Sequence, residues 1–152
     1  LQSAREDKFM AKTVTTFLGA AFLLVGLLGF VVPDFLGAHL TPVHNIVHLG
    51  SGALALYFGL SGTLTAARLF NIVFGSVYGL LGLIGFVGGQ TGISPLHGLD
   101  SRILEVIPGV LVLGTTDHII HIVLGAIFLV SGMLTKPKLY PEVTQPHTSI
   151  RR

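Results

Sequence analysis

Cysteine and tryptophan are absent, and Asp, Glu, Lys and Arg together make up only 11% of the 152 residues. Without cysteine there is no disulfide, no thiolate nucleophile and no cysteine-ligated metal. So little charge cannot cover a water-soluble domain, for which about 25% is usual. It also sets the chain apart from disordered sequences, which are rich in charge and poor in apolar residues. A nucleic-acid binder is excluded too: nine basic residues spread along the chain, with a net charge of +2, form no patch for a phosphate backbone. What is present is apolar, with 51% hydrophobic residues and a mean hydropathy of +0.79.

The gaps between charges organise the chain. No Asp, Glu, Lys or Arg lies between Lys12 and Pro33, between Asp34 and Arg68, between Arg68 and Asp100, or between Asp117 and Lys136. A membrane-spanning helix needs about 20 mostly apolar residues. The gaps predict spans at about residues 14–32, 43–64, 69–87 and 117–134, with a cytoplasmic segment at 1–13 and a cytoplasmic tail at 135–152. Val106–Leu113 is too short to span, is interrupted by Pro108, and is expected in a structured outer loop as a short interfacial helix. The first apolar stretch is long enough to span and is read as a span, not a cleaved leader; upstream of it, Met10-Ala11-Lys12 looks like a natural start. With four spans, Arg102 alone of the nine basic residues falls on the far side. That asymmetry places both termini in the cytoplasm of a bacterial inner membrane or a photosynthetic membrane.

The chain repeats itself. Gly19, Leu24, Gly26, Leu27, Gly29, Phe30 and Val31 align with Gly75, Leu80, Gly82, Leu83, Gly85, Phe86 and Val87. Ile46, His48, Gly52, Ala53, Leu56 and Gly59 align with Ile119, His121, Gly125, Ala126, Leu129 and Gly132. Each copy is a two-span hairpin, so the copies share one orientation and a pseudo-two-fold axis along the membrane normal. The fold class expected is therefore an all-α membrane protein: four transmembrane helices in an antiparallel bundle built from two parallel-oriented hairpin repeats.

Glycines form stripes: Gly19, Gly26 and Gly29 on the first span, Gly75, Gly79 and Gly82 on the third. Small residues let helices approach closely in lipid, which predicts a seam between the first and third helices. The alternative is that the missing side chains leave room for a flat ring such as a haem, a chlorophyll-type pigment or a carotenoid.

Six of the seven histidines fall on the outer side: His39, His44, His48, His97, His118 and His121. His44 and His48 share one helix face, as do His118 and His121, and His48 and His121 are equivalent in the repeat. Three readings follow. The imidazoles hydrogen-bond across helix interfaces, to Asn45, Asp117, Thr115 or a carbonyl. Or His48 and His121 ligate the metal of a tetrapyrrole, although the lack of tryptophan argues against a pigment-rich site. Or His44, His48, His118 and His121, with Asp117, hold Zn, Cu or Fe. Enzyme signals are poor. Gly50-Ser51-Gly52 near two histidines is a thin hint of an intramembrane serine protease, and His97, Asp100 and Ser101 are too close in sequence to form a triad. The spans hold no central charge of the kind a transporter relay uses.

His44-Asn45-Ile46-Val47-His48 with Gly52, and Thr116-Asp117-His118-Ile119-Ile120-His121 with Gly125, resemble a bacterial family of small four-helix membrane proteins known only as a domain of unknown function. The resemblance covers residues 13–134 and implies the hairpin fold without an activity. His118 stands where the family pattern expects Asn. The function expected is that of a non-catalytic accessory or scaffolding subunit, partnered by the lipid bilayer and by other membrane subunits, with no nucleic acid; tetrapyrrole binding and a metal-dependent or serine enzyme are the alternatives.

Overall fold

The computed structural model describes residues 3–136. Residues 137–152 of the expected tail, with Leu1 and Gln2, lie outside the described residues. The chain is mostly helical: α1 (Ser3–Leu28), α2 (Pro42–Leu56), α3 (Leu64–Gly88) and α4 (Thr115–Leu134). Met10–Leu28 of α1, together with α3 and α4, is long and apolar enough to cross a membrane. The 15 residues of α2 fall short of that alone, but a five-residue π-helical turn, Tyr57–Ser61, continues the helix. Gly59 lets that turn lie on α1, since a Cβ there would sit 2.8 Å from the Thr16 amide nitrogen.

The start signals are local. Thr41 accepts a bond from the His44 amide and Pro42 opens α2; Thr63 accepts one from the Ala66 amide and opens α3.

One expectation fails outright. The segment between α3 and α4 is not helical but a three-stranded antiparallel sheet: β1 (Gln90–Ser94), β2 (Gly98–Ile107) and β3 (Leu111–Leu113) in the order β1-β2-β3. The protein is thus not all-α, and Val106–Leu113 is a strand, a turn and a strand instead of an interfacial helix. The cause is Pro108-Gly109. Proline suits the first central position of a tight turn, glycine at φ +69° the second, and the Val110 amide closes the turn on the Ile107 carbonyl at 2.9 Å. Ile107 and Leu111 are then register partners.

The glycine stripes do pack, but not between the first and third helices. Gly19 meets Gly52 and Ala55, and Gly26 meets Leu49 and the Asn45 carbonyl, all across α1 and α2. Gly75 meets Gly125 and Leu129, and Gly82 meets Ile122 and the His118 carbonyl, across α3 and α4. Gly29 lies against the Asn45 amide and Gly85 against the His118 ring. The close seams therefore lie inside each antiparallel hairpin. Between α1 and α3 large side chains intervene: Leu18, Phe22, Tyr78 and Phe128 form the buried core, flanked by Phe70 and Phe74. At the end of the helices remote from the sheet, buried Asn71 ties three helices together. Its amide donates to Ser131 Oγ (2.8 Å) and to the Ala11 carbonyl (3.2 Å), and its oxygen accepts from Thr15 Oγ1 (2.6 Å).

A buried cluster of three histidines

The first two turns of α2 and α4 bring three histidines together. His44 and His48 from α2 and His121 from α4 are all buried, and each can offer a ring nitrogen so that the three lie within 4.8 Å of one another. The rings meet edge to face: His44 with His48 at 4.4 Å between centroids, His44 with His121 at 5.9 Å. The i to i+4 spacing stacks His44 and His48 on one face of α2, and the close hairpin seams draw α2 and α4 in from either side.

Hydrogen bonding divides these nitrogens. His44 Nδ1 lies 2.7 Å from the His39 carbonyl oxygen, so it carries the proton and donates. Its Nε2 is thereby left with a lone pair. Among the described residues, neither nitrogen of His48, nor Nδ1 of His121, has a protein partner. An unsatisfied buried polar group costs about 1–3 kcal/mol, so three in one place need a reason. The cluster faces a cavity of about 170 Å³ whose remaining wall is almost entirely apolar, with Leu18, Phe22, Val25, Leu40 and Leu124 among its lining.

Two residues grouped with this cluster on sequence grounds stand apart from it. His118 directs Nε2 to the Arg102 carbonyl (2.9 Å) and packs on Gly85. With its ring turned to Gly85 of α3 and to the Arg102 carbonyl of β2, His118 does not join His121 around one ion despite the i to i+3 spacing. Asp117 lines the cavity but is committed as an acceptor. It takes the Gly114 amide (2.8 Å), the His39 amide (3.1 Å) and His39 Nδ1 (2.8 Å).

His39, counted among the outer histidines without a role, is the partner Asp117 needs. It is 1% exposed, and its Nε2 meets the Ser94 hydroxyl at the end of β1. Ser94, His39 and Asp117 thus form a line of the composition seen in serine hydrolases. Ser94 Oγ is itself held by the Leu96 and His97 amides, at 3.1 and 3.0 Å. Both lone pairs are used on the protein's own backbone and the residue is buried, so this hydroxyl ties the end of β1 to the loop before α2. Ser51 accepts from the Tyr78 hydroxyl at 3.2 Å. His97 Nε2 binds the Ala38 carbonyl, and Asp100 accepts both the amide (3.0 Å) and the hydroxyl (2.5 Å) of Thr115, capping α4. For the Asp100 carboxyl, partial burial acts upward, but those bonds and the Arg102 amide outweigh it and hold the group below its ordinary range.

The signal for this network was faint. Only the end of β1 brings Ser94 to His39, across 55 residues of sequence. No family model, curated protein or solved structure matches the chain.

Proposed function

We propose that the protein is a four-span integral membrane protein whose role is to hold one transition-metal ion on His44, His48 and His121. The observation that carries this is the convergence of three buried imidazoles with unpartnered nitrogens, within 4.8 Å, at the edge of an apolar cavity. Three nitrogens at about 2.0 Å from one ion stand roughly 3.5 Å apart, so small side-chain rotations suffice to close the set. The bond from His44 Nδ1 to the His39 carbonyl is the outer-shell contact that ligating histidines characteristically make. Alternative roles for the cluster are less well supported. As hydrogen-bonding glue, His48 lacks any bond to make. A tetrapyrrole exceeds the cavity, since even drug-sized ligands fill about 300–1,000 Å³; the glycine seams that might have admitted a ring are filled by backbone. The committed hydroxyl of Ser94 favours a holding role over serine catalysis, in keeping with a small accessory protein.

Four spans are supported by α2 and its π-helical turn reading as one crossing, 15 and five residues long, or about 30 Å at 1.5 Å per residue. Both termini then lie with the cytoplasm and the sheet lies outside.

Two measurements test the proposal. Protein purified in detergent and loaded with Co²⁺ as a probe of divalent ions, or with Ag⁺ as a probe of monovalent ones, should retain one ion per chain, and His48→Ala with His121→Ala should retain none. Retention of neither ion by the wild-type chain would end the metal reading. The natural absence of cysteine makes single labels clean: Thr91→Cys should react with an impermeant maleimide from outside spheroplasts, and Ser61→Cys only after lysis. Reaction of both from outside would rule out the four-span arrangement.

A further inference from the structure

From the charge and ligand count of the histidine chamber, we infer that the ion it selects is monovalent and three-coordinate, that is, copper in the cuprous state. This rests on the metal-binding reading above and narrows it.

The charge count comes from hydrogen-bond direction. Asp117 receives only donors: two backbone amides and His39 Nδ1. Three such bonds suit a carboxylate, which carries one negative charge. His39 is neutral by the same bookkeeping. Ser94 Oγ already accepts the Leu96 and His97 amides, so its own proton is free to point at His39 Nε2. An imidazolium there would bring a third donor to that oxygen and leave the hydroxyl proton without an acceptor. His44 is held as the Nδ1–H tautomer by the His39 carbonyl, and ligation requires His48 and His121 to be neutral as well. The chamber therefore supplies three neutral ligands and a single fixed negative charge. Asp100 and Arg102 lie beyond it, at the sheet, with opposite charges.

A cation of charge +1 makes that chamber neutral. A divalent ion leaves a buried net charge of +1, which low-polarity surroundings penalise heavily. A divalent ion could escape only by adding an anion or a polarised water as a fourth ligand, the set zinc requires. Water needs two to four polar partners, and this cavity wall offers almost none beyond Asp117, whose Oδ2 is engaged by the Gly114 amide and His39 Nδ1 and whose Oδ1 already takes the His39 amide. Cuprous copper has no such need. Its filled d shell imposes no geometry and does not require a fourth ligand; imidazole is a copper ligand, so here charge and coordination number, not ligand softness, make the selection.

The test is competition on purified full-length protein in detergent under anaerobic conditions. Cu(I) is supplied as its bicinchoninate complex, Zn²⁺ against a chromophoric chelator, and Co²⁺ is followed by its visible absorption. One Cu(I) per chain is expected, bound at least 100-fold more tightly than Zn²⁺, with an X-ray absorption edge of a three-coordinate nitrogen site. Ag⁺, a monovalent d¹⁰ ion with no accessible divalent state, added without reductant, should compete for the same site. His121→Ala should lose Cu(I), while His97→Ala, outside the chamber, should keep it. If His121→Ala does not fold, His48→Gln, which preserves bulk and polarity, replaces it. Zn²⁺ or Co²⁺ binding at these histidines as tightly as Cu(I) would overturn the cuprous assignment while leaving a metal site standing. Binding of none of the four ions would overturn both readings. Undiminished Cu(I) binding by the histidine variants would place copper elsewhere and overturn the assignment.

Discussion

Gly125→Ala is expected to prevent the second hairpin from closing, while Gly79→Ala, on the residue directly opposite, is expected to be mild. The two glycines face each other across α3 and α4, but not symmetrically. A Cβ on Gly125 would lie 2.5 Å from the Gly79 nitrogen, 2.6 Å from its Cα and 2.9 Å from the Gly75 oxygen. All three atoms are backbone, so no side chain can turn aside and the helices themselves must part. A Cβ on Gly79 would meet nothing nearer than the Gly125 Cα at 3.9 Å, an ordinary contact. Overpacking commonly costs about 1–3 kcal/mol, and a clash with two residues of helix backbone belongs at or above the upper end. Because His121 lies one turn from Gly125, parting this seam also draws one imidazole away from the other two. Detergent-solubilised Gly125→Ala should elute as aggregate or unfold at markedly lower SDS, and should retain no metal. Gly50→Ala and Gly88→Ala, where a Cβ meets nothing within 4 Å, serve as controls. A Gly125→Ala protein as stable as Gly79→Ala would show that the seam is not close-packed.

That asymmetry marks how far the sequence could be read. Charge gaps and glycine spacing suffice to locate α1, α3 and α4 and to show that small residues line their contacts. They do not say which helix fills which groove, because the stripes of α1 and α3 look alike whether the two meet each other or each meets its own partner. Large residues on the same helices, Phe22, Phe74 and Tyr78, occupy the α1–α3 contact and decide the matter. The sheet was hidden differently. Pro108 alone reads as an interruption of an apolar run, whereas the pair Pro108-Gly109 makes a turn between two strands. Within the histidine set, helical spacing brings His44 and His48 together, and repeat equivalence supplies His121. Spacing also proposed His118, which turns to a carbonyl of strand β2, and Asp117, which lines the cavity but is held as an acceptor by the loop before α2. His39 and Ser94 reach the site through pairings 78 and 55 residues apart, which no local pattern announces.

Asp117→Asn should cost the protein about 3 kcal/mol and loosen the sheet end of the helices first. The carboxylate joins three pieces of chain: the start of α4 through the Gly114 amide, the approach to α2 through the His39 amide, and the sheet through His39 Nδ1 and its contact with Ser94. An asparagine oxygen placed where Oδ2 stands can still accept Gly114 and His39 Nδ1. Its NH₂ then falls at the Oδ1 position, 3.1 Å from the His39 amide, so donor faces donor. Leaving a buried donor without its acceptor costs about 1–3 kcal/mol, and the loss of charge-assisted bonds to Gly114 and His39 places this variant near the upper figure. His39→Ala removes the other partner of the ring bond, so the two changes should not add; a double-mutant cycle should return a coupling of about 1–3 kcal/mol. Hydrogen exchange should quicken at residues 39–41 and 114–118, while the remote end, tied by Thr15, Asn71 and Ser131, keeps its protection. The His44 tautomer depends on the His39 carbonyl, so Asp117→Asn should also weaken cation binding at the histidines by at least tenfold, both by releasing that carbonyl and by removing the chamber's one negative charge. Unchanged exchange at residues 39–41 together with unchanged cation affinity would mean that the Asp117–His39 pair neither holds the end of α2 nor sets the charge of the site.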